Sequence, residues 1–112
     1  MNLRDIQRIQ SDFEQRRGWD RFPASLVYVH LMEEIGEIGR HILFDEGYKV
    51  EGLGHTRGDK EIGREFAQVF SLLLQLANRF GVDLEEAYLK ELDIMERRFD
   101  EEGWREYMDG RR

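Results

Sequence analysis

Two acidic runs are the residues of this chain best placed to do chemistry: Glu33-Glu34-Ile35-Gly36-Glu37, and the set Glu61, Glu65 and Gln68. At about 100° per residue of an α-helix, His30, Glu34, Glu37 and His41 fall on one narrow stripe beside Val27 and Ile38. Glu61, Glu65 and Gln68 make an equivalent stripe bordering Phe66, Val69 and Leu72. Two helices packed through their apolar faces would bring these stripes together at the edge of a core. Oxygen ligands gathered there suit Mg²⁺ or Mn²⁺, which favour carboxylates and water in octahedral geometry. A salt-bridged surface is equally compatible with the spacing, because like charges three or four residues apart cost only about 0.2–0.5 kcal/mol per pair on an exposed helix. Beside an apolar seam, however, an unpaired ion costs several kcal/mol. Such carboxylates need a cation, either a metal or a basic side chain such as Arg64.

The elements that must position them read as helices. The chain has one proline, Pro23, and lacks the β-branched alternation of strands. The spacing predicts a first helix over about 3–16, with Ile6, Ile9 and Phe13 on one stripe. A turn at 18–23 carries Trp19 and Phe22, and Pro23 suits the first turn of the next helix. The second helix is predicted over about 24–45, with Tyr28, Leu31, Met32, Ile35, Ile38 and Ile42 on one face, and Gly47 ends it. A glycine-rich loop over 46–59 leads to a third helix, from 59 or 60 to 80. Its apolar residues span over half the circumference, which predicts cover on two sides. Gly81 suits the position just past its end. Asp83 and Glu86 read as a capping box for a fourth helix over about 84–99, and Trp104, Tyr107 and Met108 continue into a charged tail. Four helices, one of them apolar almost all round, point to a bundle that completes itself by self-association, in preference to a monomer with the third helix central.

Composition bounds the rest. At 112 residues the chain is expected to be a single domain, 1–112. It is 40% hydrophobic and 37% charged, a globular mixture with heavily charged faces. Cysteine is absent, which excludes disulfides and thiolate zinc sites. Neither a signal-peptide hydrophobic region nor an apolar run near the roughly 20 residues needed to span a bilayer is visible, so a cytoplasmic protein without membrane contact is expected. The formal charge of −7, with scattered Arg and Lys, argues against a nucleic acid polymer as partner. Competing motifs fail on their residues. His30-Leu31-Met32-Glu33-Glu34 lacks the second His of an inverted zinc-protease motif. Arg40 stands where a di-iron Glu-x-x-His would need His. Gly52-Leu53-Gly54-His55-Thr56-Arg57-Gly58 has no preceding strand and no Gly-Lys-Ser/Thr, and reads as a mobile connection from which His55 or Arg57 could approach a phosphate.

Glu33-Glu34-x-x-Glu37, preceded by Leu31, resembles the Glu-Glu-x-x-Glu signature of the MazG-like nucleoside triphosphate pyrophosphohydrolases. Leu76-Ala77-Asn78-Arg79-Phe80-Gly81-Val82-Asp83-Leu84-Glu85-Glu86-Ala87 resembles the stretch that ends the following helix in that family, and the likeness runs over roughly 26–99. The resemblance implies an all-α, four-helix MazG-like bundle completed by dimerisation, a dimer of dimers being a further form. It also implies a metal-dependent enzyme splitting a nucleoside triphosphate into monophosphate and pyrophosphate. Glu34, Glu37 and Glu65 would hold Mg²⁺, or Mn²⁺ in its place, with Gln68 or Glu61 completing the site. Glu33 would orient or deprotonate the attacking water, and Arg98 and Lys90 would bind phosphate oxygens. Apart from the resemblance, Trp19 and Phe22 could stack on a base in a bundle-edge pocket or simply cap the core. Two positions depart from the family. Gln68 replaces its Asp, leaving a neutral amide oxygen, and Met95 falls where an Asn is expected. Gln68 favours one alternative, a catalytically impaired dimerisation or nucleotide-sensing module; another is a relative with a narrower substrate such as phosphoribosyl-ATP or a deoxyuridine nucleotide.

Overall fold

A computed structural model describes residues 1–110. It contains five α-helices: α1 (Leu3–Arg16), α2 (Ala24–Asp45), α3 (Ile62–Arg79), α4 (Leu84–Arg98) and α5 (Glu101–Asp109). A 3-10 turn at Trp19–Arg21 joins α1 to α2. No β-strand forms among the described residues, only an isolated bridge between Glu51 and His55. None of the described helices is long and apolar enough to cross a membrane.

Local chemistry sets the helix ends. Asn2 accepts a hydrogen bond from the Asp5 N–H and Asp5 accepts one from the Asn2 N–H, a reciprocal box that starts α1. Gly18 then adopts φ +72, turning the chain out of the helix where a Cβ would be strained. Pro23 occupies the residue just before α2, with ψ 146, and not the first turn itself. Asp83 caps α4 by accepting from the Glu86 N–H, and Asp100 caps α5. The start of α3 lies later than its charge pattern suggests. Glu61 is extended, at φ −68 and ψ 142, so Lys60 and Glu61 precede the helix.

The main seam lies between α2 and α3, where Val27, Leu31 and Leu72 are buried with Val69 and Leu76 packed against them. Leu74 sits about 200° around α3 from Leu72 and is 2% exposed, so α3 is covered on two sides. α1 packs on α3, and its buried Gln7 ties that corner to α4. Gln7 Nε2 donates to Asn78 Oδ1 and to the Val82 carbonyl, while Gln7 Oε1 accepts from the Leu84 N–H. Arg4 adds ion pairs to Asp83 and Glu85.

Between those covered faces runs an uncovered one. Phe66, Phe70 and Leu73 form an exposed stripe on α3, and Met32, Ile35 and Ile42 form another on α2. Tyr88, Leu89 and Leu92 of α4 are exposed as well. The radius of gyration is 18.5 Å, against about 13 Å for a compact single domain of this length. One copy of the chain therefore leaves a large apolar surface in water.

Candidate active site: an acidic cleft beside an aromatic pocket

The acidic stripes of α2 and α3 converge beside the Val27–Leu31–Leu72 seam. Glu65 lies in the first turn of α3, where the helix dipole favours negative charge, and it is only 2% exposed. Glu34 reaches the same place from α2, its side chain 13% exposed. Glu34 Oε2 and Glu65 Oε2 are both buried and neither accepts a hydrogen bond. Such oxygens are strongly penalised unless a cation faces them.

The cation is Lys60, not Arg64. Its Nζ lies 3.7 Å from Glu34 Oε2 and 3.4 Å from Glu65 Oε2, and it donates to Gln68 Oε1 at 2.5 Å. Three oxygens from two helices thus surround one ammonium group. Glu37 lines the same 310 Å³ cleft but pairs with Arg40 at 3.3 Å. Glu33 is exposed next to the cluster, and His30, Glu33 and Glu34 each bring one ligand atom within 4.8 Å of the others. His30 Nε2 is 3.6 Å from Glu34 Oε1.

Several residues fall elsewhere. Glu61 is not one helical turn from Glu65, because it stands outside the helix, and it does not line the cleft. Lys90 pairs with Glu86, and Arg98 lies over the Phe99 ring; neither lines the cleft of this copy. The glycine-rich loop is pinned to α2: Arg40 donates to the Thr56 carbonyl, Arg57 pairs with Asp45, and the Arg57 N–H donates to Glu51. Arg57 and His41 also line the cleft, whereas His55 does not.

A second cavity, of 530 Å³, opens between α1, the 3-10 turn, α2 and α3. Phe13, Trp19, Phe22 and Leu26 line it, with His30 and Gln68 at its polar side. Trp19 packs edge-on against Phe13, at 5.6 Å between ring centroids. Its size lies within the roughly 300–1,000 Å³ of small-molecule sites. The two spaces are neighbours, since His30 contacts Glu34 and Gln68 contacts Lys60.

Two residues of this region are not evident from the helical pattern. Lys60 precedes α3, so a helical wheel begun at 59 or 60 misplaces it. Glu14, on α1 next to Phe13, is 2% exposed. Burial pushes its carboxyl above the usual Glu range, against a hydrogen bond from Gln10 that draws it back.

No protein-family model matches the chain. Relatives do. Human dCTP pyrophosphatase 1 is 33% identical over 104 residues, covering 87% of this chain and 58% of the human protein. The mouse dCTP pyrophosphatase 1 is 30% identical over 102 residues with the same coverage. The chain therefore spans less than three-fifths of the length of these two relatives. The uncharacterized protein YvdC of Bacillus subtilis strain 168 is 26% identical over 110 residues, covering 89% of this chain and 98% of YvdC. Among solved structures, YPJD of Bacillus subtilis, provisionally described as a pyrophosphatase, superposes with a TM-score of 0.74 at 24% identity. That match covers 88% of this chain and 97% of YPJD, and it establishes a shared fold. By fold and acidic signature together, the chain resembles the all-α MazG-like superfamily, with sequence similarity to dCTP pyrophosphatase 1 and YvdC and the fold of YPJD.

Proposed function

We propose that the chain is a nucleotide pyrophosphohydrolase, releasing pyrophosphate from a nucleoside triphosphate. The observation that carries this reading is the juxtaposition of the aromatic pocket with the acidic cleft across His30 and Gln68. A base held beside Trp19 and Phe22 would place its phosphates over the carboxylates. The names of the human and mouse relatives make dCTP the first nucleotide to test.

The residues present fit a divalent cation. Glu34 Oε2 and Glu65 Oε2 are buried anionic oxygens without hydrogen bonds, Glu37 adds a carboxylate to the same cleft, and Gln68 offers an amide oxygen. Mg²⁺ or Mn²⁺ bound there would neutralise phosphate charge during attack by water. Glu33 flanks these ligands with an exposed carboxylate and would take the proton of the incoming water. Arg57 and Arg40, at the rim, would face phosphate oxygens. Lys90 and Arg98 enter this scheme only through a second copy of the chain. Such a copy would cover the exposed stripes of α2, α3 and α4, which supports a homodimer. The nucleoside triphosphate pool of the cytoplasm supports work in that compartment.

A second reading has a specific observation behind it. Lys60 stands among the ligand oxygens, and Gln68 supplies no charge, so the same pocket could bind nucleotides without turning them over. A nucleotide panel including dCTP, assayed for phosphate with added inorganic pyrophosphatase in Mg²⁺ and in Mn²⁺, separates the two. Pyrophosphate release supports the enzyme. Nucleotide binding without release supports the sensor, and absence of both rejects the site.

A further inference from the structure

We infer that Lys60 is a tethered competitor of the divalent cation: its ammonium group holds the cation position between Glu34, Glu65 and Gln68, and metal binding must expel it. This rests on the proposed reading of the cleft as a metal site. The donor arrangement supports it. An ammonium offers three N–H donors and no acceptor, and here three oxygens lie between 2.5 and 3.7 Å from Nζ. Two of those oxygens are the buried ones that receive no hydrogen bond. A dication on the same oxygens would sit within about 4 Å of the ammonium, where the repulsion is many times thermal energy. Both cannot be seated together.

The tether allows the exchange. Lys60 is the residue before extended Glu61, outside the helix, and its side chain is one-third exposed, so an open path leads to solvent. Upstream, the loop is fixed at Thr56 and Arg57 by the two arginine contacts. Gly58, at φ +84, separates that fixed part from Lys60. Release of Lys60 therefore needs movement of only the last residues before α3. The lysine also keeps Glu65 neutralised when no metal is present, which an empty acidic site of this burial would lack.

The test is Mn²⁺ binding, read from loss of the free-ion paramagnetic resonance signal, for wild type and Lys60→Met. The expected result is at least tenfold tighter binding by Lys60→Met. Its metal-free melting temperature should fall, and Mn²⁺ should restore it by more than it raises wild type. Equal or weaker binding by a folded Lys60→Met overturns the inference while leaving the metal site standing. Failure of both proteins to bind Mn²⁺ at millimolar concentration overturns the metal site and the inference with it. Should Lys60→Met not fold, Mg²⁺ titration of wild type followed at the Lys60 side-chain ammonium by NMR decides. A change from an ion-paired to a solvent-exposed signal supports displacement, and an unmoved signal at metal saturation refutes it.

Discussion

Replacing Gln7 with Leu should unhook α1 from the α3–α4 corner without touching the acidic cleft. The side chain is 8% exposed, and its amide makes three hydrogen bonds: to Asn78 Oδ1 at 3.1 Å, to the Val82 carbonyl at 2.9 Å and from the Leu84 N–H at 2.8 Å. Leu has similar bulk and fills the space, so the cost comes from polar groups left behind. The Leu84 N–H is one of the helix N-terminal donors with no partner inside α4. At about 1 kcal/mol net per bond, the three together come to about 3 kcal/mol. For a domain near this size that is a loss of roughly 12 °C or more in Tm. Circular dichroism during urea and thermal unfolding, at one fixed protein concentration, measures it. Since Phe13 and the chain leading to Trp19 belong to the same helix and turn, nucleotide binding should weaken while Mn²⁺ binding stays within a few-fold. A destabilisation below about 1 kcal/mol would mean these bonds contribute no more than solvent does. Mn²⁺ affinity falling in step with nucleotide affinity would show that α1 does not serve the pocket separately from the cleft.

Glu34→Gln removes one charged oxygen from the cleft and should lower pyrophosphate release by on the order of 100-fold, equivalent to about 3 kcal/mol of lost charge stabilisation. Its helix content should be unchanged, and full turnover in the variant would place the site elsewhere. Gln68→Asp restores an anionic ligand and should raise turnover in Mg²⁺ at least several-fold. No gain, together with a wild type that neither turns over nor binds metal, would remove the enzyme reading. Trp19→Ala should raise KM for the preferred nucleotide by about tenfold, the worth of one stacked base, with little change in kcat; an unchanged KM would exclude stacking. Glu14→Gln tests burial by pH. The folded-state carboxyl is raised above its unfolded value, so the contribution of Glu14 to stability is full below the ordinary Glu range and is lost as pH rises through the folded value. The variant should lose that decline and be more stable at neutral pH by on the order of 1 kcal/mol, a difference that unfolding curves at pH 4 and pH 7 would reveal.

What the sequence made legible depended on whether a signal was local. α1 and α2 begin and end where Asn2, Gly18, Pro23 and Gly47 punctuate the chain, because caps and positive-φ glycines act on their own backbone. The start of α3 was masked, since Asp59, Lys60 and Glu61 are as compatible with a helical turn as with a loop. The choice is made by Lys60 reaching three oxygens on α2 and α3, a tertiary effect. The same effect hid the identity of the cation, for a helix begun at 59 or 60 turns Lys60 about 140° away from Glu65. Glu34, Glu65 and Gln68 could be grouped because each obeys the period of its own helix. Glu61 could not, once its backbone became extended. Helical periodicity also cannot distinguish an apolar stripe that meets its own chain, such as Leu72, from one that this copy leaves uncovered, such as Phe66, Phe70 and Leu73.

The arginine staples on the α2–α3 connection divide it into two parts of different tolerance. Beyond the contacts of Arg40 and Arg57, the tip carrying Gly52, Leu53 and Gly54 is exposed to solvent, and Leu53 is 74% accessible. Extra residues grafted at that tip would lengthen a hairpin-like excursion and leave the carboxylates undisturbed, since surface loop tips absorb insertions readily. A single residue added between Arg57 and Lys60 would instead alter the reach of the lysine itself. The connection is thus a natural place to attach a reporter or a second domain, with a boundary at Arg57 that separates free design from interference with the cleft.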